Sequence, residues 1–368
     1  MITAYNSTIS LAQIFFHQTM PYYNSFFTGR IIEALEQTSE PIYGLIGINN
    51  VEIISTFDMD KIEQGIIFDR YLGVIGTSHF NQITAGRPVS WGAHRGAFAM
   101  EFPHEDIVHL RDINRLLNRF YSMDRSTGII DQYFSIDFFL NADLSINKSS
   151  DEPQVLIFHT HAASEFFADS TNTNDLREGI VGVGETLASI LTEKHGINVI
   201  HYQGVYDKVG GVVTRGGAYE RIENSIRQIL NQHPSIELVI DLHRDGVPQT
   251  ADPANFRTYI DGRPTASIMF VNGVSAIRDT NGLRRLYNIP NPYVKENLAL
   301  SFNLQMAAAN MICESFIRRL YLTPFRYINH LRPMSTLIEV GTQLSTKEEA
   351  HNAMEPLADI LYGVLFAR

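Results

Sequence analysis

The sequence predicts an α/β protein in which a mostly parallel sheet is flanked by helices, preceded by an N-terminal α+β region. Short, wholly apolar runs such as residues 155–158 have the length and composition of strands buried on both faces of a sheet. Amphipathic helical stretches alternate with these runs, which is typical of parallel strands joined by crossover helices. Polar and titratable residues follow three of the runs, at the place where α/β sheets bind ligands.

The composition is that of a globular chain and excludes several classes of protein. Hydrophobic residues make up 44% and charged residues 19% of the 368 residues, which argues against disorder. The net charge is −11 without a basic block, so we expect no nucleic-acid partner. Cys313 is the only cysteine, which excludes an intrachain disulfide and a thiolate metal cluster.

The chain shows neither a transmembrane segment nor a signal peptide. It has no run of about 18 apolar residues. Its first residues lack the basic segment and apolar block of a signal peptide. We therefore expect either a cytoplasmic protein or a targeting segment outside this sequence.

Residues 1–103 differ in pattern from the rest of the chain. Residues 1–38 have amphipathic helical spacing, residues 42–54 are β-like, and residues 60–103 are irregular without a motif. A chain of this length is long for one hydrophobic core. We expect an N-terminal region of unpredicted role over residues 1–103 and a second domain over residues 104–368.

The second domain is predicted to begin with a helix and to continue as alternating strands and helices. Apolar residues at helical spacing predict a helix over 105–120, and residues 129–143 are predicted to be extended. A turn over 148–153 precedes the first buried strand. The further predicted strands are 155–160, 197–202, 237–242, 266–271 and 336–340. The further predicted helices are 181–195, 218–232, 295–320 and a last one opened by the capping box Thr346 and Glu349.

Three of these strands end in residues that carry chemistry. Strand 155–160 leads into His159 and His161, strand 237–242 into Asp241, His243 and Asp245, and strand 336–340 contains Glu339. In a parallel sheet such ends face one crevice. Two imidazoles and a carboxylate suit a catalytic zinc, and a further carboxylate can exchange a proton with the attacking water.

Several alternatives to this zinc site remain open at the level of sequence. A single histidine at a strand end is more often a hydrogen-bonded cap than a ligand, but two such histidines, each followed by an acid, favour the metal. Both His159 and His161 could be ligands, but we prefer His161, with His159 as its buried support. Glu165 and Glu178 are both candidates for the third ligand. The glycines over 179–184 predict close helix packing and no nucleotide loop.

Taken in order, these motifs resemble the stage II sporulation protein P family. They are His159-Thr-His161-x-x-x-Glu165, Val181-Gly-Val-Gly184-x-x-Leu187, Asp241-Leu-His243-Arg244-Asp245 and Leu337-Ile-Glu339-Val-Gly341. The resemblance runs from about residue 107 to the C-terminus and leaves residues 1–100 uncovered. It implies an amidase-like three-layer fold and a zinc-dependent N-acetylmuramoyl-L-alanine amidase that acts on septal peptidoglycan during engulfment.

The resemblance also implies site residues, partners and a location. His161 and His243 match the family's metal histidines, Glu339 matches the general acid/base, and the choice between Glu165 and Glu178 stays open. Partners would include a lytic transglycosylase and membrane proteins of the engulfment machinery. The family is normally membrane-anchored and faces outward, at the cell wall or septum, so an anchor would lie outside this sequence.

The resulting hypothesis is amide hydrolysis, and it has two rivals. Arg244 would anchor a substrate carboxylate or the oxyanion, or would form a structural salt bridge with Asp241 or Asp245. The first rival is a peptidoglycan endopeptidase or carboxypeptidase that uses the same zinc. The second is a non-catalytic, wall-binding scaffold protein, which would hold no metal.

Overall fold

A computed structural model describes residues 104–146 and 151–366 of the protein. Seven of the described strands form one sheet, and six further short strands form three separate hairpins. The sheet strands are β1 (Tyr121–Met123), β2 (Val155–Phe158), β3 (Val199–His201), β6 (Leu238–Asp245), β9 (Ile268–Gly273), β12 (Leu320–Thr323) and β13 (Met334–Thr342). The hairpin strands are β4 (Lys208–Val209), β5 (Val212–Val213), β7 (Arg257–Ile260), β8 (Arg263–Ala266), β10 (Ala276–Asp279) and β11 (Gly282–Arg285).

The described helices flank this sheet. They are α1 (His104–Leu110), α2 (Ile113–Phe120), α3 (Ile136–Asn141), α4 (Ile180–Glu193), α5 (Ala218–Gln232), α6 (Val294–Met311), α7 (Lys347–Asn352) and α8 (Met354–Leu365). None of them is both long and apolar enough to span a membrane.

The sheet is mostly parallel, as the sequence predicts. Its order is β1-β12-β9-β13-β6-β2-β3, and only the β9–β13 pairing is antiparallel. The antiparallel junction divides the sheet into two blocks of opposite direction. The carboxyl ends of β2, β6 and β13 therefore lie at one edge, beside the amino end of β9.

Helices cover both faces of the sheet and produce three layers. On one face, α4, α6 and α8 pack against alternate apolar residues of the strands, such as Ile157, Ile240 and Phe270. On the other face, α5 packs against Leu156, Phe158 and Val239. Alternate strand residues enter the two clusters because successive side chains of a strand point to opposite faces.

Several predicted elements are confirmed with small shifts in their ends. The helix predicted over 218–232 is α5, with these bounds. The capping box of Thr346 and Glu349 is present at the start of α7. The predicted strand 336–340 extends to Met334–Thr342 because β6 pairs with residues at both of its ends.

Three predictions are wrong. The helix 105–120 is two helices, since Asp112 caps α2 by accepting from the backbone N–H groups of Asn114 and Arg115. Residues 129–143 contain α3, which Ser135 caps, where an extended segment was predicted. The helix predicted to reach residue 320 ends at Met311, and residues 320–323 form the buried strand β12, which was not predicted from the sequence, and neither was β1.

The predictions for residues 1–103 lie outside the described residues, as does part of the turn predicted over 148–153.

Candidate active site

The predicted strand ends meet on the face of the sheet that α5 covers. Strands β13, β6 and β2 are adjacent, and Glu339 of β13 lies directly opposite His243 of β6 in the parallel register. Residues paired in this way project to the same face. Glu339 is buried, with 8% of its surface exposed. The predicted base is therefore next to one predicted metal histidine.

His243 lies between two buried carboxylates. Its Nδ1 donates to Oε1 of Glu165 over 3.1 Å, and its Nε2 lies 2.6 Å from Oδ1 of Asp241, outside hydrogen-bond geometry. Burial lowers the pKa of His243, but Asp241 and Glu165 outweigh it and raise that pKa well above its ordinary value. Negative charge is thus concentrated around this imidazole.

Asp241 is fixed in turn by the chain after β2. Its Oδ1 accepts from the backbone N–H of Thr160 over 3.0 Å, and its Oδ2 accepts from the hydroxyl of the same residue over 2.7 Å. These bonds set the orientation of the carboxylate that faces His243. Carboxylates commonly play this part behind metal-binding histidines.

Glu165 lies in the turn after β2 and is 1% exposed. Its Oε2 accepts from the backbone N–H of Arg244 over 3.0 Å, and its Oε1 lies 3.2 Å from Nη2 of Arg215. Burial alone would raise its pKa, but His243 and Arg215 lower that pKa below its usual range. Glu165 is therefore an anion at neutral pH.

His161 contacts both His243 and helix α5. Its ring centroid is 5.3 Å from that of His243 and 5.5 Å from that of Tyr219, with both pairs nearly edge to face. Burial, with the charge of Arg215, lowers the pKa of His161 well below its ordinary value. Its Nδ1 is buried and makes no hydrogen bond with any described residue. A neutral imidazole with an unused nitrogen is a suitable metal ligand.

His159 points away from this site, towards helix α4. The strand ends at Phe158, so the alternation of a strand no longer applies to the two histidines. His159 binds the carbonyl of Leu242 over 2.8 Å through Nδ1, and its Nε2 lies 2.8 Å from Nε2 of His201. Burial, helped by His201, lowers the pKa of His159 to about 3. Both ring nitrogens of His159 are thus engaged by Leu242 and His201, and its role as a support for His161 stays a prediction.

The close packing of α4 results from its glycines. A Cβ atom on Gly184 would lie 2.6 Å from Nε2 of His159 and 2.8 Å from Nε2 of His201. A Cβ atom on Gly182 would lie 2.1 Å from the carbonyl oxygen of Arg177. The predicted packing role of these glycines is confirmed.

Glu178, the other candidate for the third ligand, lies on a different contact surface. Its Oε2 binds Nζ of Lys347 over 2.5 Å and the backbone N–H of Thr171 over 3.3 Å. Contact with Lys347 lowers its pKa. The structure therefore brings Glu165, and not Glu178, into contact with His243.

Arg244 and Asp245 both stabilise loops at the edge of the sheet. The guanidinium of Arg244 donates to the backbone carbonyls of Phe166, Ser164 and Asp245 over 3.0–3.4 Å. The side chain of Asp245 forms an ion pair with Arg318 over 2.7 Å. Arg244 thus makes neither of the predicted salt bridges, and its described contacts hold the loop that carries Glu165.

Arg215, Tyr219 and Tyr327 also contribute to the site, and none of them was predicted from the sequence. Arg215 follows the β4–β5 hairpin and contacts Ser164 and Glu165. Tyr219 lies in the first turn of α5, and its ring centroid is 4.9 Å from that of Tyr327. The segment Arg215-Gly-Gly-Ala-Tyr219 at the start of a helix could have drawn attention to the first two, while Tyr327 has no local signal.

The donor types fit zinc, although the described residues do not assemble a complete ligand set. No group of three or more His, Cys, Asp or Glu side chains in the described part of the chain is arranged to hold a metal ion. Nδ1 of His243 and Oε1 of Glu165 are 3.1 Å apart. Neighbouring ligand atoms of a tetrahedral zinc ion are about 3.3 Å apart, so this spacing is compatible with zinc. His161 adds a buried imidazole nitrogen without a described partner.

Two amidases are among the solved structures that are similar to the chain, while the comparison with curated proteins gives no match. One is the N-acetylmuramoyl-L-alanine amidase AmiC2 of Nostoc punctiforme, at 15% identity and a TM-score of 0.31, covering 59% of this chain and 97% of that one. The other is the CwlD amidase from Clostridioides difficile in complex with the GerS lipoprotein, at 14% identity and a TM-score of 0.34, covering 57% and 96%.

A family comparison covers most of the described structure. Residues 117–362 match the family Stage II sporulation protein P (SpoIIP), which is more than half of the 368-residue chain. The match includes the strand ends that carry His161, His243 and Glu339. The chain therefore belongs to the stage II sporulation protein P family.

Proposed function

We propose that the chain is a zinc-dependent amidase that hydrolyses the bond between N-acetylmuramic acid and L-alanine of the peptidoglycan stem peptide. Membership of a sporulation family supports the coarser part of this proposal, a peptidoglycan hydrolase that acts in sporulation. The observation that carries the proposal is the meeting of His161, His243, Glu165 and Glu339 at one edge of the sheet. We place this activity outside the cytoplasm, at the cell wall.

His161, His243 and Glu165 are the residues that would hold the metal. Glu165 is preferred over Glu178 because it contacts His243 and is buried, whereas Glu178 is paired with Lys347. The carboxylate of Asp241 would keep His243 oriented. A bound Zn²⁺ supplies Lewis-acid polarisation of the scissile carbonyl.

Glu339 carries the proton in this proposal. Its carboxylate takes a proton from the water that attacks the carbonyl carbon and returns it to the nitrogen of the departing L-alanine. The products are a free lactyl carboxyl group on the glycan and a free amine on the peptide. Arg244 holds the loop of Glu165 through its three carbonyl contacts.

A Glu339→Gln variant separates the proton-transfer role from metal binding. We expect it to retain zinc, because Glu339 is not among the proposed ligands, and to lose about 10²–10⁴-fold in turnover. Zinc is measured by elemental analysis, and turnover by mass spectrometry of stem peptides released from purified peptidoglycan. Glu178→Gln is the matched control and should keep both zinc and turnover.

A different experimental result would refute each part of the proposal. Full turnover by zinc-loaded Glu339→Gln would remove Glu339 as the base. Wild-type protein that acquires no zinc would refute the metal assignment. Products with cut cross-links and an intact muramic acid–alanine bond would identify an endopeptidase.

A further inference from the structure

Helix α5 places a tyrosine ring against one of the proposed metal ligands. Tyr219 lies in the first turn of α5, two residues after Gly217, whose φ of 74° lets the chain enter the helix from the hairpin β4–β5. Its ring meets the imidazole of His161 edge to face, at 5.5 Å between centroids and 82° between planes. Tyr219 is half-buried, so part of it remains reachable from outside.

The ring of Tyr219 contacts those of His161 and Tyr327, with centroid distances of 5.5 Å and 4.9 Å. Among the residues that the structure describes, its O–H makes no hydrogen bond. Its neighbour Tyr327 has one, since the Tyr327 hydroxyl accepts from Oγ1 of Thr323 over 3.3 Å.

We propose that Tyr219 is a catalytic hydrogen-bond donor whose O–H binds the carbonyl oxygen of the scissile amide. This inference rests on the proposed amide hydrolysis. When the water oxygen bonds to the carbonyl carbon, the carbonyl π electrons move to its oxygen, and Tyr219 donates to that oxyanion without releasing its proton. When the C–N bond breaks, the carbonyl re-forms and the nitrogen takes the proton held by Glu339. Tyr219 ends the reaction unchanged.

The surroundings of Tyr219 favour a donor over a base. An ordinary phenol keeps its proton at neutral pH, so the hydroxyl of Tyr219 has a proton to donate. A donor that is already positioned by packing against His161 and Tyr327 needs no reorientation when charge develops on the substrate. The guanidinium of Arg244 donates to three backbone carbonyls, and these bonds hold it against the loop of Glu165.

A Tyr219→Phe variant removes the donor and keeps the ring. In the zinc-loaded full chain we expect kcat for release of stem peptide from a muramyl-peptide fragment to fall about 10²–10³-fold. Zinc content and melting temperature should stay at the wild-type values, since the packing against His161 is retained. Tyr206→Phe is the matched control. Its hydroxyl bonds Tyr202 and Ser225 away from the site, and this variant should keep the wild-type kcat.

A binding measurement tests the same contact without turnover. In a Glu339→Gln background the muramyl-peptide fragment stays intact, and its affinity is measured by calorimetry with and without Tyr219→Phe. We expect the added substitution to weaken binding about 3–10-fold, the effect of one lost hydrogen bond.

The results distinguish this inference from the proposed function. Unchanged kcat and unchanged affinity in Tyr219→Phe would overturn the donor role, as would loss of zinc or early melting, which would make Tyr219 a structural support for His161. Failure of the wild type to release stem peptide would overturn the amidase proposal. The calorimetric comparison would then show, without turnover, whether the Tyr219 hydroxyl binds the muramyl-peptide fragment.

Discussion

At the residue scale, the candidate site depends on which side-chain nitrogens and oxygens are already engaged in hydrogen bonds or ion pairs. His243 faces Asp241 with one ring nitrogen and Glu165 with the other. His159 uses both ring nitrogens in its contacts with Leu242 and His201. Nδ1 of His161 is buried and no described residue binds it, whereas the unbonded Nε2 of His243 still faces the carboxylate of Asp241. Whether both ring nitrogens have hydrogen-bond partners therefore separates a structural histidine from a candidate ligand.

A substitution at Gly184 tests how closely helix α4 packs against the imidazoles of His159 and His201. A Gly184→Ala methyl group would overlap both imidazoles, which are closely packed, so we expect a loss of about 1–3 kcal/mol in the free energy of unfolding. Gly363→Ala in α8 is the matched control, because its Cβ would meet only ordinary contacts with Met311 at 3.4 and 3.5 Å.

Chemical denaturation of the two variants measures this difference. Gly363→Ala should be neutral or stabilised by up to about 1 kcal/mol through its helix propensity. Equal stabilities for the two alanine variants would contradict the close packing of α4 on the histidine pair.

At the element scale, the end of β13 is shaped to present Glu339. The register with β6 is regular from Met334 to Glu339 and then shifts before Thr342. Gly341 has a φ of 58°, and a Cβ atom there would lie 2.5 Å from Oγ of Ser345. An irregularity of this kind bends a strand and redirects the chain beyond it. Glu339 is thus the last regularly paired residue before the chain turns towards α7.

A second element-scale contact joins α5 to the segment that carries Tyr327. Glu223 of α5 lies 3.2 Å from Nε2 of His330, 2.7 Å from Nη2 of Arg227 and 2.9 Å from Nη2 of Arg326. Contact with His330, together with the two arginines, outweighs burial and lowers the pKa of Glu223 to about 2. The pair of tyrosines at the site is held between these two elements.

The pH dependence of stability tests this contact. Since the folded pKa of Glu223 lies below the unfolded value of 4.5, its contribution is complete above pH 4.5 and is lost as pH falls towards 2. Glu223→Gln should lower the free energy of unfolding by roughly 1–2 kcal/mol at pH 7, after allowance for solvent screening. The difference in the free energy of unfolding between this variant and the wild type should become smaller below pH 4.5.

Denaturation curves between pH 3 and 7 give this gap directly. Asp137→Asn, which removes an exposed ion pair with Arg111, should show a much smaller gap at every pH. A Glu223→Gln gap that stays constant down to pH 3 would show that the carboxylate is not stabilised by its cationic neighbours.

At the scale of the whole molecule, the candidate site joins distant parts of the chain at one edge of the sheet. Its residues come from β6, β13, α5 and the turn after β2, which are far apart in sequence. A ligand that binds all of them stabilises the native state by mass action, because the unfolded chain does not hold them together.

Zinc binding should therefore raise the melting temperature. At a free zinc concentration of 100 times Kd the stabilisation is about 2.7 kcal/mol, which corresponds to a rise of roughly 5–10 °C for a domain of this size. Chelation should reverse the rise. His161→Ala should abolish it, whereas Glu178→Gln should retain it. A wild-type melting temperature that does not respond to zinc would contradict the assigned ligand set.

Local sequence patterns were sufficient to predict the fold class and to select the candidate site residues. Wholly apolar runs must be buried, and polar groups that come directly after them must lie at the edge of the sheet, so His161, His243 and Glu339 could be selected from the pattern alone. The capping box of Thr346 and Glu349 and the packing glycines could be predicted because their signals are local, within a few residues.

Features that depend on distant partners were settled only when the chain was folded. Strand β12 and the reversal at β9 arise from pairing across the sheet, which no local pattern encodes. Glu165 and Glu178 are alike in sequence, and they differ because the turn after β2 directs one to His243 while Lys347 binds the other. Tyr219 acquires its place only when α5 packs on the sheet, since contacts between residues far apart in sequence exist only in the folded chain.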